Sequence, residues 1–127
     1  MQVIYCVLVG DKGVAKTSLL IFYTTNSWPV DNDNIPDVFD DYSANIMLDG
    51  HPLHLYLVDT PSGDEYLSKR ISQYSRAHVI MLCFDIGNRD TFNKQRLINW
   101  KNEIREYCKD QPIILVGNKV DFKKRFL

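Results

Sequence analysis

Several features that would define a function class are missing from this chain. Its 15 Lys and Arg stand against 16 Asp and Glu, for a net charge of −1, so there is no electrostatic footprint for nucleic acid. No apolar run approaches the roughly 18 residues that cross a bilayer. Met1-Gln2-Val3 leads straight into a strand-like run, which predicts no signal peptide. The cysteines are three, Cys6, Cys83 and Cys108, widely spaced and without zinc-ligand spacing. They are expected to be reduced and mostly buried. His51, His54 and His78 show no ligand or triad spacing and are expected at the surface or beside strands. No pair of carboxylates suggests glycosidase chemistry. Repeats, low-complexity segments and linkers are also lacking, and 127 residues predict one domain over 1–127.

What is present is an alternation of strand and helix signals. Residues 3–9 form a continuous apolar run with β-branched and aromatic members, a buried strand. Residues 17–23 read as a helix with Leu19, Leu20 and Phe22 inward, and 27–41 as a loop rich in Asp, Asn and Pro. Residues 42–48 and 53–58 are strands joined at Asp49-Gly50, a hairpin signal. Leu67, Ile71 and Tyr74 share one face of a short helix after the break at Pro61-Ser62-Gly63. Residues 79–84 are a strand. Asp90 is a candidate N-cap for a helix to Cys108, with Phe92, Leu97, Trp100 and Ile104 inward. Residues 113–116 are the last strand. The order predicts an α/β fold: a mixed, mostly parallel sheet with helices on both faces and one antiparallel edge strand. Such sheets bind ligands beyond the carboxyl ends of their strands.

Three motifs fall at those ends. Gly10-Asp11-Lys12-Gly13-Val14-Ala15-Lys16-Thr17 follows the first strand and opens a helix, the place of a phosphate-cradling P-loop. The pattern G-x-x-x-x-G-K-[ST] has Ala15 where glycine belongs. Asp59-Thr60 ends the third strand-like run. Asn118-Lys119-Val120-Asp121 follows the last, where Asn and Asp can read the edge of a guanine base. Phosphate loop, metal-proximal Asp and base reader thus occur in the order a GTP-binding domain requires. A Cβ at Ala15 costs about 1–3 kcal/mol where the loop conformation is strained.

The chain resembles the Rho/Rac branch of the Ras-like small GTPases. The resemblance rests on Gly10-Asp11, Lys16-Thr17, Tyr23-Thr24-Thr25-Asn26, Val38-Phe39-Asp40, Tyr42-Ser43-Ala44-Asn45, Asp59-Thr60 and Pro112-Ile113-Ile114-Leu115-Val116-Gly117, and it spans nearly the whole chain. It implies a P-loop NTPase fold and a switch between GTP and GDP with Mg²⁺, read by effector and regulator proteins of Rho type. By resemblance, Gly10, Lys12, Gly13, Val14, Ala15, Lys16 and Thr17 form the phosphate site, with the backbone N–H groups from Gly13 to Lys16 cradling the phosphate and Lys16 on the β/γ-phosphates. Thr17 and Asp59 hold Mg²⁺. Asn118, Lys119 and Asp121 bind guanine, and Val38, Phe39 and Asp40 form the effector segment. A cytoplasmic location follows, or the inner face of the plasma membrane through partners.

The same resemblance exposes departures. Lys12 stands where the family carries Gly, either as a cation near the γ-phosphate or swung into solvent. Trp28 replaces a family Phe that lies against guanine, although it could instead cover the core. The first switch loop is longer than the family's, and Asp37 takes the place of the threonine that binds Mg²⁺ and the γ-phosphate. A carboxylate there repels the γ-phosphate by about 4 kcal/mol for unit charges at 4 Å and an effective dielectric near 20, offset in part by the metal. Ser62 replaces the glycine whose N–H senses the γ-phosphate, and Gly63 replaces the water-positioning glutamine. No catalytic residue is therefore assigned, and hydrolysis is expected to be weak or lost. The alternative is a pseudo-GTPase that engages partners with little nucleotide dependence. The family's last base-contacting loop, final strand, final helix and lipidated end have no counterpart before Leu127, so the sequence predicts exposed apolar surface, with Val7 and Leu115 losing cover. The basic end at 122–127, without cysteine, does not support membrane anchoring.

Overall fold

A computed structural model describes residues 2–12, 16–17, 19–20, 41–90 and 93–118. Among these, five strands form one sheet: β1 (Gln2–Gly10), β2 (Tyr42–Leu48), β3 (His51–Asp59), β4 (Val79–Asp85) and β5 (Ile113–Asn118). Their order is β2-β3-β1-β4-β5. β3, β1, β4 and β5 run parallel, and β2 pairs antiparallel to β3. This is the expected Ras-like α/β sheet with one antiparallel edge strand. The hairpin turns on Asp49 and Gly50, both at positive φ (50° and 78°), the conformation that suits a tight two-residue connection.

Two helices are described beyond the first motif: α1 (Leu67–Tyr74), entered through a single 3-10 turn at Asp64–Tyr66, and α2 (Lys94–Tyr107). The N-cap of α2 is not Asp90. Asn93 takes it, its side-chain oxygen accepting the Arg96 N–H at 2.9 Å, so the helix begins later than the sequence suggested. Asp90 lies in the preceding turn, its N–H donating to Asn88 Oδ1. At the other end Arg105 Nη1 shares its two protons among the carbonyls of Cys108, Lys109 and Gln111, which ties the chain just beyond α2 back to the helix. Phe92, Phe22 and the remainder of the helix expected over 17–23 lie outside the described residues.

Alternation along the strands divides the core in two. Val7, Val9, Val58, Ile80 and Leu82 pack against Tyr74, Ala77, Trp100, Ile104 and Cys108, on the face that carries α1 and α2. Cys6, Leu8, Leu57 and Cys83 pack with Leu20 on the other. Val7 is therefore covered by α1 and α2 rather than left bare, which corrects its assignment. Leu115 is 57% exposed, as expected, but not for the expected reason. It pairs with Leu82 and so shares the face of α1 and α2, at that face's outer margin. The three cysteines are free and buried. Burial pushes the Cys6 thiol up to about 11 and the Cys83 thiol to about 12.

Candidate functional site

The carboxyl ends of β1, β3 and β5 bring Gly10, Asp59 and Asn118 to one edge of the sheet. Gly10 has φ 150°, a backbone turn that favours glycine, and it redirects the chain out of β1. Lys16 and Thr17, in helical conformation, follow. Lys16 is only 5% exposed. Its Nζ donates to the carbonyls of Gly10 (2.9 Å) and Asp11 (3.2 Å) and to Ser62 Oγ (2.7 Å). An ammonium has three protons, and here each meets an oxygen. Burial lowers its pKa, and the nearby Asp59 and Asp11 carboxylates oppose the shift.

Thr17 Oγ1 donates to Asp59 Oδ2 at 2.6 Å across the crevice between the first helix and β3. Asp59 is held from behind as well, its Oδ1 accepting the Thr60 N–H at 3.0 Å. Thr60 is anchored in turn, its hydroxyl donating to the Leu8 carbonyl at 2.7 Å. A hydroxyl and a carboxylate side by side, with no cluster of three His, Cys, Asp or Glu among the described residues, make a hard-oxygen pair. It suits a cation that keeps waters and takes the rest of its shell from a phosphate, as Mg²⁺ does.

Asp11 points away from this crevice. Its carboxylate receives Arg96 Nε at 3.1 Å, Arg96 Nη2, and the Trp100 indole N–H at 3.0 Å. Burial alone would raise its carboxyl, but these donors outweigh burial and hold it below its ordinary value. The turn after β1 is thereby fastened to α2.

The segment after Asp59 is clamped by a residue that sequence reasoning passed over. Arg70 on α1 donates through Nη1 to the carbonyls of Pro61 (3.0 Å) and Gly63 (2.7 Å). Its other nitrogens form a two-pronged ion pair with Glu103 on α2, and its guanidinium lies 5.1 Å from the Trp100 ring. Tyr74 donates its hydroxyl to the same Glu103 carboxylate. The available signal was an arginine at inward spacing between Leu67 and Tyr74, matched by a glutamate one turn beyond Trp100.

Gly117 and Asn118 close the far end. A Cβ on Gly117 would stand 2.7 Å from Ile86 Cγ2 and 3.2 Å from the Phe84 ring, so only glycine fits without a shift. Asn118 is buried, and its carbonyl accepts the Ile86 N–H at 3.3 Å. Lys12 is exposed. Gly13, Val14, Ala15, Trp28, Asp37, Val38, Phe39, Asp40, Lys119 and Asp121 lie outside the described residues. The structure thus groups Gly10, Lys16, Thr17, Asp59 and Ser62 directly, with Gly63 next to them and Asn118 two strands away. The family model described as the Ras family matches residues 5–126.

Proposed function

This chain belongs to the Ras family of GTP-binding switch proteins, and on that premise we propose that it is a Rho-type guanine-nucleotide switch with slow or absent GTP hydrolysis. The observation that carries the nucleotide reading is the Thr17–Asp59 pair, 2.6 Å apart beside the buried Lys16 ammonium. A cation and a hard-oxygen pair at a strand-to-helix turn are what a polyphosphate with its metal requires. Lys16 takes the β/γ-phosphates. Thr17 and Asp59 hold Mg²⁺, with Asp37 as a further carboxylate. The metal, when bound, neutralises charge on the β- and γ-phosphates.

Asn118, Lys119 and Asp121 read guanine, with Trp28 against the base. Asp121 accepts from guanine's N1–H and exocyclic amine, a pair adenine does not offer. Val38, Phe39 and Asp40 face effectors. The Rho assignment is supported by Thr24-Thr25-Asn26 and Tyr42-Ser43-Ala44-Asn45 in the sequence. Slow hydrolysis is supported by Gly63, which has no side chain to orient water, together with Ser62 and Asp37. The expected setting is the cytoplasm or, through partners, the inner face of the plasma membrane.

Calorimetric titration of the chain with GDP, GTP and ATP, with and without Mg²⁺, tests the reading. Saturable binding of GDP and GTP, strengthened by Mg²⁺ and not competed by ATP, is expected. Absence of binding to either guanine nucleotide overturns the switch and leaves a pseudo-GTPase that engages partners without nucleotide.

A further inference from the structure

We propose that Ser62 is an internal competitor for the phosphate chain: its hydroxyl occupies the Lys16 ammonium and must be displaced before a nucleotide's β- and γ-phosphates can dock. The inference rests on the nucleotide reading above. It adds a regulatory contact that the family glycine at this position, lacking a side chain, could not make.

The geometry has three parts. First, the Lys16 ammonium is saturated. Two of its three protons go to Gly10 and Asp11, carbonyls of the turn that the lysine itself spans, and the third goes to Ser62 Oγ at 2.7 Å. A phosphate oxygen seeking that ammonium meets a side-chain oxygen already in place. Second, Ser62 reaches Lys16 from the far side of the crevice, 46 residues along the chain, on the segment that follows Asp59. The contact therefore bridges the two walls between which the phosphates would lie. Third, the segment is not free to drift. Arg70 Nη1 holds the carbonyls on either side of Ser62, those of Pro61 and Gly63, and Arg70 is itself fixed by Glu103. The serine is presented from a clamped backbone, so it competes as a preorganised ligand rather than as a passing side chain.

A hydrogen bond to a charged group contributes more than one between neutral groups. A phosphate oxygen that takes the ammonium breaks the bond to Ser62, so on this proposal removing the hydroxyl lifts a cost of docking and appears as tighter binding. The full chain and its Ser62→Ala and Ser62→Gly variants are titrated with GDP, GTP and GMP in Mg²⁺ by calorimetry, each first shown by thermal melting to be folded. Both variants should bind GDP and GTP about tenfold more tightly than the parent, the size expected of one charge-assisted bond. GMP has no β-phosphate to take Lys16, so its affinity should not move. Ser62→Thr, which keeps the hydroxyl, should bind like the parent and serves as the folding control.

Equal GDP and GTP affinities in the parent and both variants overturn the competitor role while leaving nucleotide binding intact. Weaker binding in the variants overturns it too, since Ser62 would then be a nucleotide ligand. Equal tightening of GMP shows an effect that does not pass through Lys16 and also overturns it. If no guanine nucleotide binds any of the proteins, the switch reading fails and this proposal fails with it.

Discussion

Arg70 and Glu103 form a two-pronged ion pair between α1 and α2, with Nη2–Oε1 at 2.8 Å and Nε–Oε2 at 3.0 Å. The arginine side chain is 2% exposed and the glutamate 20%. The pair does more than join two helices, because the remaining arginine nitrogen holds Pro61 and Gly63. Removing the arginine leaves Glu103 half-buried with, among the described residues, only the Tyr74 hydroxyl as partner, so the loss falls below the roughly 3–5 kcal/mol of a fully buried pair, at about 2–3 kcal/mol. Arg70→Met should therefore lower unfolding free energy by about that amount in urea titrations. Amide exchange at residues 61–66 should speed up by more than global destabilisation explains. Exchange that tracks global unfolding alone would mean that the clamp does not hold the segment.

Gly117 is bounded by Ile86 and Phe84, neither of which offers a loose end. Gly117→Ala should cost about 1–3 kcal/mol by overpacking. The double variant with Ile86→Ala should recover part of that loss, because the new methyl then fills the space left by the isoleucine branch. A double-mutant cycle in denaturant measures the coupling. A coupling near zero would place the strain elsewhere.

Hydrolysis should be slow, and restoring the glutamine alone should not cure it. A Cβ at Gly63 would stand 2.5 Å from Glu65 Oε2, the far end of an exposed side chain that can swing clear. Gly63→Gln should therefore fold with a stability change within about 0.5 kcal/mol. Ser62 and Asp37 remain altered in it, and on the proposed reading Lys12 crowds the approach of an arginine finger, a group worth roughly 10³–10⁵ in rate. Single-turnover GTP hydrolysis with a Rho-type activating protein should stay far below that of an ordinary activated small GTPase, in the parent and in Gly63→Gln. A parent rate matching such a GTPase removes the claim of impaired hydrolysis.

Much of this was legible in the sequence because it is written in local patterns. Apolar runs ending just before Gly10, Asp59 and Gly117 marked the strand ends, the last strand running on to Asn118, and the Asp49-Gly50 dipeptide marked the hairpin. What stayed hidden depends on which face a residue takes. Val7 and Leu8 are neighbours in one continuous apolar run, with no polar residue to show which faces α1 and α2, so Val7 was placed on the wrong side. Arg70 was hidden for a different reason. A charged residue on a helix is read as solvated unless its partner is known, and Glu103 lies on another element. Asp11 joins Arg96 and Trp100 across 85 and 89 residues of chain, a pairing that no local window contains. The start of α2 was misjudged because Asp90 and Asn93 are both good caps, and only the observed bond to Arg96 decides between them.

The depressed Asp11 carboxyl carries a pH signature. A carboxylate whose folded pKa lies below its ordinary 3.8 contributes stability that is complete well above 3.8 and is lost as pH falls through the folded value. Lowering the pH below about 4 should therefore weaken the tie between the β1 turn and α2. Asp11→Asn should be less stable than the parent at pH 6, and the gap should narrow by pH 3. Urea titrations across that range check it. A gap that stays constant with pH would show that hydrogen-bond geometry, not the charge, accounts for the contact.

The two faces of the sheet make a final contrast at its β4–β5 margin. Ile80 pairs with Ile113 and is 0% exposed, packed in the cluster under α1 and α2. Ile114, one residue further along β5, points to the opposite face and is 51% exposed. The same chemical change should have very different costs at the two positions. Ile80→Ala removes buried methyl groups from a filled core and should cost about 2–5 kcal/mol. Ile114→Ala removes area already in water and should cost less than about 1 kcal/mol. Ile114→Lys adds a charge to the outermost strand of the described sheet, where a positive side chain discourages edge pairing. It should reduce any binding of a hydrophobic dye and any self-association seen in sedimentation, with little change in melting temperature. A large loss of stability in Ile114→Lys would mean that this residue is covered in the folded protein, and that the apolar margin at β5 is closed rather than open.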